Sequence, residues 1–190
     1  LTLLADQNDR LDGLKTGADA LRADQPEARH ALLLTCDIPA ISPAAIDWMV
    51  ETVEQSSHDF YYTFIDRADM EARFPQARRA YSQLKDRQVC SGSLSAFRLD
   101  AADARHPCLE KLLNSHKNPL RQVSLIGYDT MFLLLMRQLT LQEAEKSINH
   151  RLKIDGRALL CPYAEAGMDL VHPGTFELLQ NELQARPRSQ

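Results

Sequence analysis

No stretch of this sequence approaches the roughly 20 apolar residues that a membrane-spanning helix requires. The longest apolar run, residues 131–136, stops at Arg137. The opening residues carry no signal-peptide pattern. No charge of one sign dominates, because Lys and Arg number 22 against 26 Asp and Glu, for a net charge of −4. That balance supplies no whole-protein field to attract nucleic acid or an anionic membrane. Cys36, Cys90, Cys108 and Cys161 lie far apart, with no Cys-x-x-Cys pair and no histidine at metal-site spacing. The expectation is reduced thiols in a cytoplasmic protein, not a zinc site or a disulfide framework. There is no Gly-x-Ser-x-Gly elbow, so serine-nucleophile chemistry has no support. Nor does any histidine form a catalytic pair: His30, His58, His106, His116 and His150 sit at element ends or on polar faces. His172 is also read as a surface residue, although it lies close to Asp169. Internal repeats and long linkers are absent too.

What is present is an ordinary globular composition, 44% hydrophobic and 25% charged, over a length that suits one domain spanning 1–190. The stretch ALLLTCDIPAIS (residues 31–42) carries the sharpest change of character. Ala31, Leu32, Leu33 and Leu34 form a continuous apolar run that ends in Thr35, Cys36 and a carboxylate, Asp37. An apolar run without alternation suits a strand covered on both faces, as in a parallel sheet. Ligand sites in such sheets lie beyond the carboxyl ends of the strands, where Asp37 would sit. A turn or cap aspartate is the simpler reading of Asp-x-Pro taken alone.

The rest of the chain alternates helix and strand patterns. Leu11, Leu14, Ala18 and Leu21 predict an amphipathic helix over 8–23, capped near Asn8 or Asp9. Ser42 and Pro43 are a good N-cap and first helical residue, with Ile46, Met49, Val50 and Val53 on one buried face. Residues 60–65, FYYTFI, predict a core strand. Residues 66–87 are polar and charged, predicting a surface crossing with a short strand at 80–84. Ser91-Gly92 leads into a strand over 93–99. A helix is predicted around 108–116, then a buried helix within 123–137. Thr140-Leu-Gln-Glu143 is a capping box opening a helix to about Asn149. A last strand over 157–161 follows, then a turn at Gly167-Met168-Asp169. Thr175 is expected to cap a final helix with Phe176, Leu179 and Leu183 inside, ahead of a frayed tail. This alternation predicts an α/β three-layer sandwich with a mostly parallel central sheet.

Chemistry is carried first by two aspartates, Asp37 and Asp169, each expected at a sheet edge. Hard divalent ions take oxygen ligands, often one or two carboxylates plus substrate phosphates. Of the basic cluster Arg73, Arg78, Arg79, Lys85 and Arg87, any arginine fork would match phosphate oxygens, and a solvated charged face is the alternative. Ser91-Gly92-Ser93 would let backbone approach a ligand, or is a plain strand-entry turn. Lys117 would reach a phosphate as a point charge, or is a surface lysine.

Taken in order, these segments resemble the MobA-like nucleotidyltransferases, a family with a GT-A type (nucleotide-diphospho-sugar transferase-like) fold. LLLTCDIPAIS is similar to the family strand ending in Asp-x-Pro-hydrophobic-hydrophobic-Ser, and FPQARRAYSQLKDRQVCSGSLSAF to its crossover into a Gly-Gly-Asn-Leu tract. HKNPLRQVSLIGYDTMFLLLMRQLTLQEAE resembles a helical insert of one subgroup, and YAEAGMDLVHP the tract with the second metal aspartate. The resemblance implies Mg²⁺ (or Mn²⁺) held by Asp37 and Asp169 as catalytic and metal residues. It implies substrate contacts from Gly92, Ser93, Arg79 and Lys117. The reaction implied is attack of a phosphorylated small-molecule acceptor (sugar phosphate, polyol phosphate or cofactor) on the α-phosphorus of a nucleoside triphosphate, releasing pyrophosphate.

The sequence departs from that pattern in three places. The family's opening strand and Gly-rich loop have no counterpart, so the chain is expected to begin after them. Gly-Gly-Asn is Ser91-Gly92-Ser93 here, and Asp-Val-Asp is Asp169-Leu170-Val171. These departures keep a second reading open, a catalytically inactive relative that binds a nucleotide or serves a regulatory role.

Overall fold

A computed structural model describes residues 2–5, 10–103, 127–170 and 173–185. Its elements run α1 (Arg10–Asp24), β1 (His30–Leu34), α2 (Pro43–Glu54), β2 (Phe60–Asp66), α3 (Arg67–Arg73), β3 (Ser82–Gln83) and β4 (Gln88–Arg98). They continue with α4 (Leu99–Asp103), α5 (Tyr128–Leu135), α6 (Leu141–Leu152), β5 (Gly156–Leu160), a 3-10 turn at Ala164–Gly167 and α7 (Pro173–Ala185).

The five strands form one sheet in the order β1-β4-β2-β5, with β3 added to β4. The expected mostly parallel sheet needs correcting. β4 pairs antiparallel with β1, β2 and β3, and the parallel pair is β2 with β5. Because β1 and β2 are both antiparallel to β4, the strands β1, β2 and β5 still point the same way. Their carboxyl ends therefore share one edge of the sheet. β4 is inserted between β1 and β2 and runs against them.

Successive strand residues face opposite sides, and both sides are packed. Leu32, Tyr61, Ile65, Leu94, Ala96 and Cys161 join Met49 and Val53 of α2, Met70 and Phe74 around α3, and Leu179 of α7 in one core. Their neighbours Ala31, Phe60 and Phe97 join Ala18, Leu14 and Leu21 of α1 in a second cluster. Helices thus lie on both faces of the sheet, giving three layers. At the β5 edge, α6 meets the open backbone with side chains. Asn149 bonds both N–H and C=O of Gly156, and Glu145 accepts from the Ala158 N–H.

The helix signals of α2 and α6 read as expected. Ser42 caps α2 by accepting from the Ala45 N–H at 3.2 Å, with Pro43 as the first helical residue. Thr140 and Glu143 form both arms of the capping box of α6. Elsewhere tertiary structure overrides the pattern. β1 stops at Leu34, and Leu33 and Leu34 are exposed, because β1 is an end strand among the described residues. Val50 is also exposed on α2. Residues 66–87 hold α3, where Asp66 caps by accepting from the Ala68 N–H and Met70 and Phe74 are the buried anchors. The strand expected at 93–99 begins at Gln88, placing Ser91-Gly92 inside it rather than in an entry turn.

The helix expected to be buried within 123–137 appears as α5, with Phe132 61% and Leu135 74% exposed. It docks through polar groups instead: Thr130 Oγ1 lies 2.5 Å from Ser147 Oγ, and Asp129 pairs with Arg151, both on α6. α7 begins at Pro173, so Thr175 falls in its first turn. Phe176 and Leu183 are exposed while Leu179 is buried. The cap at Asn8 or Asp9, the helix around 108–116 and the tail from 186 lie outside the described residues. Among the described residues, no helix is long and apolar enough to cross a membrane.

Candidate functional site

The shared carboxyl edge of β1, β2 and β5 gathers most of the residues singled out from the sequence. Beyond Leu34, the Thr35 N–H still donates to Ser93 O at 3.3 Å, and the chain then turns through Asp37. Beyond the end of β5, the 3-10 turn packs against β4, α3 and β2 and carries the chain to Asp169. The Leu170 N–H donates to Asp37 O at 3.0 Å, so the main chain next to Asp169 is fastened to Asp37 itself. A second tie lies a few residues away, where Ser42 Oγ donates to Glu165 Oε1 at 2.5 Å. Ser42 therefore serves two partners: it caps α2 and holds the 3-10 turn against the Asp-x-Pro loop. Glu165 is a site residue that sequence reading misses, because nothing local links it to a serine 123 residues earlier.

β4 contributes through an irregularity. Tyr62 pairs with Ser95 and Phe64 with Ser91, so the stretch of β4 between them is longer than its partner and bulges. Such bulges bend a strand and re-aim its residues. Ser93 lies in this bulge, beside Thr35. Gly92 lies in it too, and its missing side chain has a packing cause. A Cβ there would sit 2.2 Å from Thr63 Oγ1 and 3.0 Å from Ile65 Cδ1. Thr63 is fully buried, and its hydroxyl donates to Leu94 O at 2.5 Å, satisfying a carbonyl of the bulge.

Of the basic cluster, Arg79 reaches the site. Its Nη1 donates to Asp169 Oδ1 at 2.5 Å, with side chains only 12% and 17% exposed. Burial pushes the Cys90 thiol's pKa up, against the opposing pull of the nearby Arg79 guanidinium. Arg73 pairs instead with Glu182 and Arg87 with Asp86 and Asp66, away from Asp169. Lys117 and His172 lie outside the described residues. At the opposite edge of the sheet, His58 Nδ1 lies 2.8 Å from Asp155 Oδ1, a pairing across 97 residues that the sequence does not reveal.

Whether these residues suit a divalent cation turns on Asp37. Its Oδ1 is buried and makes no hydrogen bond to protein among the described residues. A buried carboxylate oxygen without a donor is costly, and a hard cation or a ligand donor would relieve that cost. No group of three or more His, Cys, Asp or Glu side chains capable of holding a metal occurs among the described residues. The site thus offers at most two carboxylates, which is the supply Mg²⁺ commonly takes when substrate phosphates and water complete its shell.

No protein-family model matches the sequence, and comparison with curated proteins gave no match. Among solved structures, the chain is similar to a hypothetical transferase from Thermus thermophilus, with a TM-score of 0.77 and 25% sequence identity. The similarity covers 89% of this chain and 70% of that one. This chain therefore has a transferase-like α/β fold, with its carboxylates gathered at one edge of a mixed sheet.

Proposed function

We propose that the chain is a transferase, and specifically one that moves a nucleoside monophosphate from a nucleoside triphosphate to a phosphorylated small-molecule acceptor, releasing pyrophosphate. The likeness to the hypothetical transferase from Thermus thermophilus supports the general class. The narrower reading rests on one observation: Asp37, with its buried unpartnered oxygen, is fastened through the Leu170 N–H to the residue that follows Asp169.

Phosphoryl chemistry of this kind depends on positioning and charge neutralisation more than on covalent steps by the protein. Asp37 and Asp169 would hold a Mg²⁺ or Mn²⁺ ion, which when bound neutralises charge on the α-phosphate. The bulged Gly92-Ser93 backbone, bonded to the Thr35 N–H through Ser93 O, and the Ser93 hydroxyl would orient the acceptor. Arg79 supplies a cation to phosphate oxygens. No protein base is required, because a phosphate acceptor attacks as an anion. The acceptor oxygen forms the new bond to the α-phosphorus while the bond to the bridging oxygen breaks, and pyrophosphate leaves with those electrons.

The test is titration with each nucleoside triphosphate, with and without Mg²⁺, followed by pyrophosphate release in the presence of phosphorylated acceptors. Metal-dependent binding should be lost in Asp37→Ala and Asp169→Ala. Unchanged binding in both variants would remove the site. One observation favours a silent, ligand-binding relative: Asp169 is already neutralised by Arg79. Metal-dependent binding without pyrophosphate release across the acceptor panel would select that reading.

A further inference from the structure

The Arg79–Asp169 pair sits badly with a simple two-carboxylate cradle. One of the two carboxylates already has a cation of its own, at 2.5 Å and largely out of water. A metal approaching Asp169 must compete with that guanidinium or displace it. Among the described residues, Asp169 is the single carboxylate in an ion pair with Arg79, through one oxygen. A guanidinium has five N–H donors in a rigid fork suited to paired oxygens. One carboxylate oxygen leaves that fork poorly filled among the described residues. The polyphosphate of a nucleotide would fill it better than Asp169 does.

Resting on the two-aspartate reading, we propose that Arg79 is an exchangeable counter-ion: it holds Asp169 in the ligand-free protein and transfers to polyphosphate oxygens on binding, releasing Asp169 to the metal. Charge balance drives the exchange. The metal replaces Arg79 at Asp169, and Arg79 takes up phosphate charge that the metal leaves uncovered. Metal and polyphosphate therefore bind with positive coupling, and each alone binds poorly. Ordinary coupling between sites amounts to about 5–150-fold in affinity. Arg79 acts here as a positioning residue for Asp169 and as a contact for the phosphates.

The exchange predicts a trade that a merely structural ion pair would not produce. Mn²⁺ alone, followed by the loss of its free-ion EPR signal, should bind Arg79→Met at least about fivefold more tightly than wild type. The same variant should bind inorganic tripolyphosphate in the presence of Mn²⁺ at least about fivefold more weakly. Reciprocally, Asp169→Asn frees Arg79. It should bind metal-free tripolyphosphate, measured by calorimetry, more tightly than wild type. Arg79→Lys, which keeps charge but not the fork, should fall between wild type and Arg79→Met in both titrations.

Circular dichroism melts establish that each form is folded, and Asp169→Asn carries the test by itself if Arg79→Met does not fold. If Arg79→Met binds Mn²⁺ no better than wild type, or Asp169→Asn binds tripolyphosphate no better, the exchange is wrong. Should Asp37→Ala then still abolish Mn²⁺ binding, the metal site stands without the exchange. Absence of Mn²⁺ binding in every form, with and without tripolyphosphate, overturns the metal site and the exchange together.

Discussion

Replacing Gly92 by alanine should destabilise the chain by several kcal/mol, although the position is in a strand. In an unconstrained strand the same change would stabilise by about 0.5–1 kcal/mol, since glycine loses more backbone freedom on folding. Here the added Cβ would lie 2.2 Å from Thr63 Oγ1, 3.1 Å from Thr63 Cβ and 3.0 Å from Ile65 Cδ1. Thr63 cannot rotate away without abandoning its 2.5 Å bond to Leu94 O, and the side chain is fully buried. Overpacking a tight core costs about 1–3 kcal/mol, and leaving a buried acceptor unpaired costs about 1–3 kcal/mol. The two overlap because one side chain carries both, so about 2–4 kcal/mol is expected. For a chain of this size that lowers Tm by roughly 5–15 °C. Thermal and urea melts of wild type, Gly92→Ala, Thr63→Ala and the double variant supply the assay. Removing Oγ1 removes the worst contact, so the double variant should cost at least about 1 kcal/mol less than the sum of the singles. A Gly92→Ala protein as stable as wild type, or strictly additive costs, would refute the packing account. Gly92 would then be free for a purely ligand-facing role.

Three further outcomes follow from single contacts. Thr140→Ala should cost about 1 kcal/mol in a urea melt, because it removes the hydroxyl arm of the α6 capping box and leaves the backbone arm to Glu143. Part of that cost is pH-dependent: the Thr140 N–H, which alanine keeps, and then the Thr140 hydroxyl, which alanine loses, hold the Glu143 carboxyl below its ordinary range. A depressed carboxylate stabilises above its unfolded pKa and loses that contribution as pH falls through the folded value. The gap between wild type and Thr140→Ala should therefore shrink in acid, and a gap independent of pH would discard the carboxylate's part. Ser42→Ala should cost about 1–2 kcal/mol, since one hydroxyl caps α2 and donates to Glu165, while Ser42→Thr should restore most of it. Iodoacetamide at a pH of about 8, where an ordinary thiol is partly ionised, followed by peptide mass spectrometry, should label exposed Cys36 well before Cys161, whose thiol burial pushes up to about 11. Equal labelling rates in the folded protein would contradict the burial of Cys161.

The signals that hold true are local ones. Ser42-Pro43, the Thr140 to Glu143 box and the aromatic run of β2 each carry their meaning within a few residues. What fails depends on partners. A run of four apolar residues looks the same in a parallel interior strand and in an antiparallel end strand, so Ala31 to Leu34 suggests coverage that Leu33 and Leu34 lack. The apolar α5 reads as buried, whereas it docks on α6 through Thr130 and Asp129. α3 escapes sequence reading because Met70 and Phe74 alone anchor it, too few to show a period. At the site, family resemblance places Asp37 and Asp169 in order. It cannot supply the bond from the Leu170 N–H to Asp37 O, the Ser42–Glu165 tie or the Arg79–Asp169 pair. Arg79 stands 90 residues from its aspartate, and nothing nearby distinguishes it from Arg78.

The reversed strand explains why a mixed sheet can still present a site at one edge. β1, β2 and β5 deliver Thr35, Ile65 and Cys161 to the same side, as strands of a parallel sheet would. β4 runs the other way, so it is the early part of that strand, Cys90 to Ser93, that lies beside those carboxyl ends. A fourth parallel strand would have brought its last residues there and then left through a loop. The antiparallel one instead places the early, bulged part of a strand next to the Asp37 turn, with Cys90 and Ser91 paired to β2 and Ser93 O accepting from the Thr35 N–H. Positions fixed in this way are less free to move than loop positions. The bulge opposite Thr63 then supplies a departure from regular pairing at that point. The partner exchange proposed for the site then falls to a side chain, the Arg79 guanidinium, whose carboxylate partner Asp169 is also a candidate metal ligand.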